Sequence, residues 1–232
     1  MIVYGRNVAK EVLQKPEKVK KVTLQNGFDD KEIISLLEKN KIKVNYLDKK
    51  GFSKFDKYSH QGIILDIEDF SYCDYKEFYD VENAKIVILD HLEDPHNLGA
   101  IIRTCEAAGI EGIIIPKDRS VDVNSTVMKT SAGALERMKV AKVTNLVKVM
   151  DDLKDNGFWI VGTCMDGNYD YRDIDYTGKI ALVIGNEGNG MSKAVREECD
   201  YLAKIPMYGK INSLNASVAA GIMIYEVISL DK

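Results

Sequence analysis

Two short apolar runs near the end of the chain, each followed by a polar turn, most constrain the fold. The first run, 180–184, enters a turn at 185–190 that contains three glycines. The second run, 202–207, leads through Ser213 and Asn215 into a predicted helix. Short aliphatic runs of this kind are typical of strands buried on both faces. Parallel α/β sheets bind ligands beyond the carboxyl ends of their strands, so the turns predict a small-ligand site made largely of backbone.

The first turn does not match the common nucleotide-binding sequences. The fingerprint G-x-G-x-x-G is absent, and Gly190 is followed by Met191 instead of the Lys-Ser/Thr pair of a phosphate-binding loop. A nucleotide-dependent oxidoreductase on a doubly wound sheet is therefore disfavoured, and comparing the binding of NAD with that of other cofactors tests this alternative.

The catalytic half of the chain is predicted from alternating strands and helices. Strands are predicted at 85–89, 112–115, 140–143, 158–162, 180–184 and 202–207, and helices at 98–108, 126–135, 146–156 and 215–229, with a further helix starting near Ser192. Such alternation predicts a parallel sheet with helices on both faces. Helix 215–229 begins with small residues, which indicates tight packing against either the core or a partner subunit.

The N-terminal residues form a separate pattern. Strands at 19–25, 42–47 and 62–67 and helices at 6–13 and 29–40, the latter capped by Asp29 or Asp30, predict a compact α/β domain over 1–70. Residues 66–82 carry seven acids and one base, and this predicts an acidic linker at 71–82, with the larger domain at 83–232.

The net charge of −4 conceals an asymmetry between the two parts of the chain. Residues 1–57 contain 14 Lys and Arg against 8 Asp and Glu, whereas the remainder is acidic. A basic segment within an acidic protein indicates a polyanionic partner, and a solvated lysine face is the alternative.

Several classes of protein are not indicated. No apolar run has the roughly 20 residues that span a bilayer, and the N-terminus lacks the apolar core of a signal peptide. The four cysteines are widely spaced, and the three histidines add no set of metal ligands. We expect a reduced, cytoplasmic protein with no metal site and no membrane association.

Three motifs in order resemble the TrmH-type (SpoU) RNA ribose 2′-O-methyltransferases of the SPOUT superfamily. They are LDHLEDPHNLGAIIRTCEAAGIEGIIIP at 89–116, IGNEGNGMS at 184–192, and KIPM at 204–207 followed by INSLNASVAAGIMIYE at 211–226. The N-terminal part is similar to the L30e-like substrate-binding domain of this family. Its YGRN and HQGI tetrapeptides, with the two-domain layout, most resemble the branch that methylates a guanosine of 23S rRNA.

The resemblance implies a deep trefoil knot in the methyltransferase domain, S-adenosyl-L-methionine as cofactor, RNA as substrate and a homodimer. A tRNA ribose methyltransferase or a resistance-type rRNA methyltransferase of the same family remains an alternative. A non-catalytic RNA-binding protein is a further alternative, from a different functional class.

The residues alone leave two roles open for each side chain of the first motif. Asn97 precedes the predicted helix 98–108, which Gly109 closes, so Asn97 is predicted to be its N-cap. Arg103 lies within that helix, where an ion pair with Glu106 or Glu187 is as good an explanation as catalysis.

The resemblance assigns these residues and others to the active site. It implies five catalytic residues, namely Asn97, Arg103, Glu187, Ser213 and Asn215. It implies that the cofactor contacts Thr163, Gly185, Ile205 and Leu214. Arg103 is either the general base for the 2′-hydroxyl, as the family proposal has it, or a phosphate ligand, which is physically easier because a guanidinium stays protonated.

Overall fold

The structure, a computed structural model, describes residues 1–56 and 58–229 and contains two β-sheets. The first sheet has four strands: β1 (Ile2–Tyr4), β2 (Val19–Gln25), β3 (Val44–Leu47) and β4 (Ile63–Ile67). Three helices accompany it: α1 (Arg6–Val12), α2 (Lys31–Lys39) and α3 (Lys49–Phe52). The strand order is β1-β4-β2-β3, with β2 and β3 parallel and the other pairs antiparallel, so that β3 is an edge strand.

Helix α2 shows how the sequence fixes these elements. The carboxylate of Asp30 accepts a hydrogen bond from Ile33 N at 3.2 Å, which confirms Asp30 as the cap. Ile33 and Leu37 lie one turn apart on the same side of the helix and are buried. Strand β1 and helix α3 were not predicted, because three or four residues carry too little periodicity.

The second sheet has seven strands, all parallel. They are β5 (Lys85–Leu89), β6 (Gly112–Pro116), β7 (Lys139–Val143), β8 (Phe158–Thr163), β9 (Tyr169–Asp170), β10 (Lys179–Ile184) and β11 (Tyr201–Lys204). Five helices accompany it: α4 (Pro95–Ala108), α5 (Ser125–Thr130), α6 (Leu146–Asp155), α7 (Lys193–Glu197) and α8 (Ala216–Val227). The strand order is β7-β6-β5-β10-β8-β11-β9. This confirms the predicted parallel α/β sheet; the trefoil knot stays a prediction.

The strand order changes direction beside β5. The chain adds β6 and β7 on one side of β5, whereas β10, β8 and β11 lie on the other. Such a reversal opens a crevice at the carboxyl ends of the strands. The first motif follows β5 and the second follows β10, so the reversal brings these two motifs together.

Two predicted elements end well before the predicted residue, whereas the others end within two residues of it. Helix 126–135 is interrupted after Thr130, where Ala132 (φ 50°) and Gly133 (φ 88°) adopt left-handed conformations that cannot continue a helix. Strand 202–207 ends at Lys204, and Pro206, which has no N–H for a strand ladder, follows in the loop.

The acidic segment 71–82 packs against the second sheet. Phe78 is fully buried and lies under Gly112, where an added Cβ would approach its ring to 2.2 Å. Lys139 Nζ donates to Glu77 Oε2 at 2.9 Å, and Cys73 forms a bridge with Ala141. The acidic residues of the segment are therefore exposed, while Phe78 and Cys73 attach it to β6 and β7.

The two halves of the chain also contact each other through charged side chains. Glu136 is the shared partner: its carboxylate accepts from Lys18 Nζ at 2.8 Å, and its carbonyl oxygen accepts from Lys15 Nζ at 2.7 Å. Apolar residues of both halves belong to one continuous buried core. None of the helices described is long and apolar enough to cross a membrane.

Candidate active site

A cavity of about 460 Å³ opens at the carboxyl ends of β8, β10 and β11. The structure places all four residues expected at the cofactor, Thr163, Gly185, Ile205 and Leu214, on its wall. Glu187 and Ser213 line it too, whereas Asn97, Arg103 and Asn215 do not. Three separate loops thus form one concave surface, as the two polar turns predict.

Gly185 is required because the two ends of the first polar turn approach each other closely. A Cβ at this position would lie 2.3 Å from Gly190 C and 2.4 Å from Met191 N. Asn186 and Gly190 exchange two backbone hydrogen bonds of 3.0 Å, which close the turn into a small hairpin. A side chain at 185 would force this hairpin open.

Asn186 holds the hairpin and connects it to the first motif, a role that sequence reasoning missed. Its Oδ1 accepts from Gly188 N at 2.8 Å and from Asn189 N at 3.3 Å. Its Nδ2 donates to the carbonyl oxygen of His91 at 2.9 Å. An asparagine that directly follows a strand-ending glycine is the sequence signal that could have indicated this role.

Asp90 is a second missed residue, at the end of β5. It is 1% exposed, and its carboxylate accepts from Ser192 N and contacts His91 Nδ1, both at 2.5 Å. The buried carboxylate satisfies a backbone donor at the start of α7, where the side chain of Ser192 itself makes no capping bond. Asp90 therefore fixes the end of the second motif to the first.

The predicted capping role of Asn97 is wrong. Helix α4 starts at Pro95, and Asp94 is its N-cap, accepting from His96 N at 2.9 Å. Pro95 favours this earlier start because its fixed φ suits the first helical position. Asn97 is buried within the first turn, 6% exposed, while Gly109 ends the helix in a left-handed conformation as expected.

Asn97 instead forms the centre of a chain of side-chain hydrogen bonds. Its Nδ2 donates to Glu187 Oε1 at 2.6 Å, and its Oδ1 accepts from Asn215 Nδ2 at 3.1 Å. Asn215 caps α8, because its Oδ1 accepts from Ser217 N at 2.9 Å. These hydrogen bonds join one residue from each of the three motifs, and they hold the carboxylate of Glu187 at the wall of the cavity.

Arg103 has neither of the ion-pair partners that the sequence suggested. Glu106 accepts from Arg137 Nε at 2.6 Å, and Glu187 is bonded to Asn97. The side chain of Arg103 is exposed on α4, and none of the residues in 1–56 and 58–229 forms a hydrogen bond or an ion pair with it. Its guanidinium is available to a partner from outside the chain.

The lining of the cavity also includes a charged pair that the sequence analysis did not identify. Arg196 donates to Asp166 through both terminal nitrogens, at 2.8 and 2.9 Å, and this lowers the pKa of Asp166. Next to it, burial raises the pKa of the Cys164 thiol. Thr163 Oγ1 donates to the carbonyl oxygen of Val183 at 2.8 Å, which joins β8 to β10.

The cavity suits an adenosyl cofactor. Its volume lies within the roughly 300–1,000 Å³ of small-molecule sites. Gly185 leaves the backbone open, Ile205 and Leu214 supply apolar surface, and Glu187 and Asp166 supply polar groups. No group of three or more metal-ligating side chains was found within the described part of the chain.

Comparison with known proteins identifies the family of the chain. The SpoU rRNA Methylase family matches residues 84–225, and the RNA 2′-O ribose methyltransferase substrate binding family matches residues 2–73. A Staphylococcus aureus (strain COL) protein assigned to the TrmH family of tRNA/rRNA methyltransferases is 43% identical over 97% of this chain and 94% of its own.

Solved structures extend the similarity to the fold. The SpoU methyltransferase AviRb from Streptomyces viridochromogenes, in complex with S-adenosylmethionine, superposes with a TM-score of 0.85 at 27% identity over 100% of this chain and 90% of that one. An rRNA methyltransferase from Sinorhizobium meliloti, also with the cofactor bound, gives 0.83 at 27% identity over 99% and 87%.

The fold, the cavity and these matches together define an S-adenosylmethionine-dependent RNA methyltransferase. The chain belongs to the SpoU (TrmH-type) family, whose activity is 2′-O-methylation of ribose in RNA.

Proposed function

We propose that this enzyme methylates the 2′-hydroxyl of a guanosine in 23S rRNA. The observation that carries the proposal is the Glu187–Asn97–Asn215 hydrogen-bond chain at the wall of the cofactor cavity. It presents one fixed carboxylate where a hydroxyl group must be oriented next to a methyl donor. A non-catalytic RNA-binding protein would have no need of it.

The choice of rRNA over tRNA is supported by how much of the chain each relative matches. The rRNA methyltransferase from S. meliloti covers 99% of this chain. The Aquifex aeolicus TrmH/SpoU tRNA modifying enzyme covers 63%, with a TM-score of 0.58 at 35% identity and 75% of its own chain. That share is about the length of the part that follows the first sheet, which favours an rRNA target for a chain with both parts.

We assign the parts of the chain accordingly. Residues 1–70 form the domain that binds the RNA substrate, and residues 83–232 form the methyltransferase domain. Residues 71–82 are the linker between them. The family match over residues 2–73 and the separate four-stranded sheet support this division.

Backbone and apolar groups hold the cofactor in this proposal. Gly185, Ile205 and Leu214 contact S-adenosylmethionine, and Thr163 closes the adenine side. The cofactor supplies the electrophilic methyl group. The cavity fixes the direction from which the ribose must approach the methyl group.

Glu187 orients the ribose hydroxyl in the proposed mechanism. Backbone donors at the start of α8 hold Asn215 Oδ1, so Asn215 donates to Asn97, and the amide nitrogen of Asn97 must then face Glu187. One oxygen of Glu187 is thereby engaged, and the other can accept from the 2′-hydroxyl. Ser213, which is exposed at the cavity wall, adds a hydroxyl group for the same ribose.

Arg103 binds an RNA phosphate in this proposal. A guanidinium is a poor base but forms strong bidentate hydrogen bonds with phosphate. Since Arg103 is exposed and does not line the cavity of its own chain, we place it at the cavity of a second subunit. The homodimer contact would use α4 and α8, where Val218 and Tyr225 are 50% and 53% exposed. A cytoplasmic location remains a prediction.

Transfer of labelled methyl groups from S-adenosylmethionine tests the function. The purified enzyme is incubated with 23S rRNA and, in parallel, with total tRNA, and the modified nucleotide is mapped by mass spectrometry. We expect a 2′-O-methylguanosine in 23S rRNA and none with Glu187→Gln. Methylation of tRNA alone would overturn the rRNA assignment. An enzyme that binds NAD but does not bind S-adenosylmethionine would favour an oxidoreductase.

A further inference from the structure

An exposed lysine-rich segment surrounds β3, the edge strand of the first sheet. We call residues 39–54 the basic edge; they contain six lysines and one acid, Asp48. The lysines are Lys39, Lys41, Lys43, Lys49, Lys50 and Lys54, and all six are exposed. Asp48 is occupied by local structure, since its Oδ1 accepts from Gly51 N at 2.7 Å as the cap of α3.

The lysines of the basic edge differ in their partners from three other lysines of this half. Lys10 pairs with Glu32, and Lys15 and Lys18 pair with Glu136. In the described ranges no acid pairs with any lysine of the basic edge, and only Lys54 contacts a ring, that of Phe55 at 5.0 Å. The first group is paired with acids of the chain, whereas the second leaves its positive charge to the solvent.

An aromatic side chain lies in the middle of this charged segment. Tyr46 is on β3 and 61% exposed, and its neighbour Asn45 is exposed as well. The pairing of Tyr46 with the buried Leu24 of β2 fixes its place in the strand. A large exposed ring between clusters of free lysines is the combination that single-stranded nucleic acids bind, the ring by base stacking and the lysines by phosphate contact.

Protection of an edge strand is the competing explanation for the lysines. Edge strands are often charged so that they do not pair with another chain. That explanation does not require an exposed tyrosine, and it places charges within the strand. Here the lysines lie in the segments before and after β3, at the two ends of a strand roughly 13 Å long.

We propose that the basic edge, with Tyr46 at its centre, binds a single-stranded segment of the substrate RNA. One unstacked base lies on the Tyr46 ring, and phosphates on either side contact Lys41 and Lys43 before the strand and Lys49 and Lys50 after it. The inference rests on the proposed function, since it names the surface that delivers the RNA to the cofactor cavity. It commits to single-stranded RNA because paired bases have no free face to stack on a side chain.

The test uses the full-length enzyme and a fluorescein-labelled, 12-nucleotide single-stranded RNA of mixed sequence, with anisotropy measured over a range of salt concentrations. Tyr46→Ala should weaken binding about 5-fold or more, while Tyr46→Phe binds as the wild type does. Lys43→Gln/Lys49→Gln should reduce the slope of log Kd against log salt by about 1.4, because each single-strand phosphate contact contributes about 0.7.

A matched double variant, Lys76→Gln/Lys148→Gln, removes two exposed lysines from the other half of the chain and should leave the slope unchanged. In methyl transfer, Tyr46→Ala should raise the KM for RNA and leave kcat and the affinity for S-adenosylmethionine as they are.

Two outcomes would overturn the inference: equal loss of slope in both double variants, or tighter binding of a 12-base-pair duplex than of the single strand. Failure of the proposed function looks different. In that case the wild type binds the single-stranded RNA through Tyr46 but transfers no methyl group to 23S rRNA.

Discussion

Asn97 and Glu187 lie 90 residues apart in the sequence, and Asn97 Nδ2 donates a 2.6 Å hydrogen bond to Glu187 Oε1. Asn97 is buried within the first turn of α4, whereas Glu187 is on an exposed hairpin that β10 delivers to the same place. The helix thereby positions the carboxylate of the hairpin. Because the donor is uncharged and the acceptor carries a charge, the bond is stronger than one between neutral groups.

Asn97→Asp should reverse this attraction. Two carboxylates would then face each other at hydrogen-bond distance, and the pair must bind a proton to stay together. We expect kcat/KM to fall about 10- to 150-fold at pH 8, the equivalent of roughly 1.5–3 kcal/mol.

A shared proton would restore the bond, so the loss should be partly recovered as the pH is lowered, and kcat/KM is measured against pH. Asn97→Ala has no carboxyl group at this position and should show no such recovery. Equal pH profiles for the two variants would contradict the proposed orientation of Glu187.

The secondary structure was most predictable where apolar runs are bounded by polar residues. The predicted strands at 19–25 and 85–89 have the observed bounds, and Gly109 ends α4 as predicted. The local sequence determines these features. It also sufficed to predict that the two polar turns form one site, since parallel strands of a sheet expose their carboxyl ends on the same edge.

The errors at the site arise from contacts between distant segments. The sequence predicted Asn97 as the cap, whereas Asp94 caps the helix and Asn97 is bonded to Glu187 inside the first turn. Glu106 was a reasonable partner for Arg103, but it is paired with Arg137, which lies in the segment that follows α5. Hydrogen bonds of this kind depend on which side chains the fold brings close, and spacing along the chain does not contain that information.

Gly185→Ala should damage the cavity while the rest of the fold persists. The added Cβ would clash with Gly190 and Met191, and overpacking of about 1–3 kcal/mol would lower Tm by roughly 2–10 °C. We expect the affinity for S-adenosylmethionine, measured by calorimetry, to fall at least about tenfold because the hairpin forms a wall of the site.

Gly188→Ala is the matched control for this change. Gly188 belongs to the same turn and lines the same cavity, but a Cβ there meets only Asn186 Oδ1 at 3.5 Å, an ordinary contact. Equal effects of the two substitutions would mean that the turn does not position the cofactor in the way described.

The cysteines report on the same cavity through their pH dependence. Burial raises the pKa of Cys164, so its thiol is mostly protonated at pH 8, and alkylation by iodoacetamide should speed up about tenfold per pH unit until that pKa is reached. Saturating S-adenosylmethionine should slow the reaction, because Cys164 lines the cavity. Peptide mass spectrometry measures both effects.

Two other thiols serve as internal references for this experiment. Burial also raises the pKa of Cys73, but Cys73 contacts β7 and should react at the same rate with and without the cofactor. Burial raises the pKa of Cys199 to about 12, so it should stay unmodified at pH 9. Protection of Cys73 together with Cys164 would indicate a global change instead of occupancy of the cavity.

The placement of Arg103 can be decided by mixing two inactive variants. In a symmetric dimer whose sites each combine Arg103 of one subunit with Glu187 of the other, a heterodimer of Arg103→Ala and Glu187→Gln subunits has one doubly defective site and one intact site. Unfolding and refolding an equimolar mixture should therefore restore about a quarter of the wild-type activity, since half of the dimers are mixed. Each variant alone should stay inactive, and methyl transfer to RNA is the readout. If Arg103 served the cavity of its own chain, every site in the mixture would carry one defect, and no activity would return.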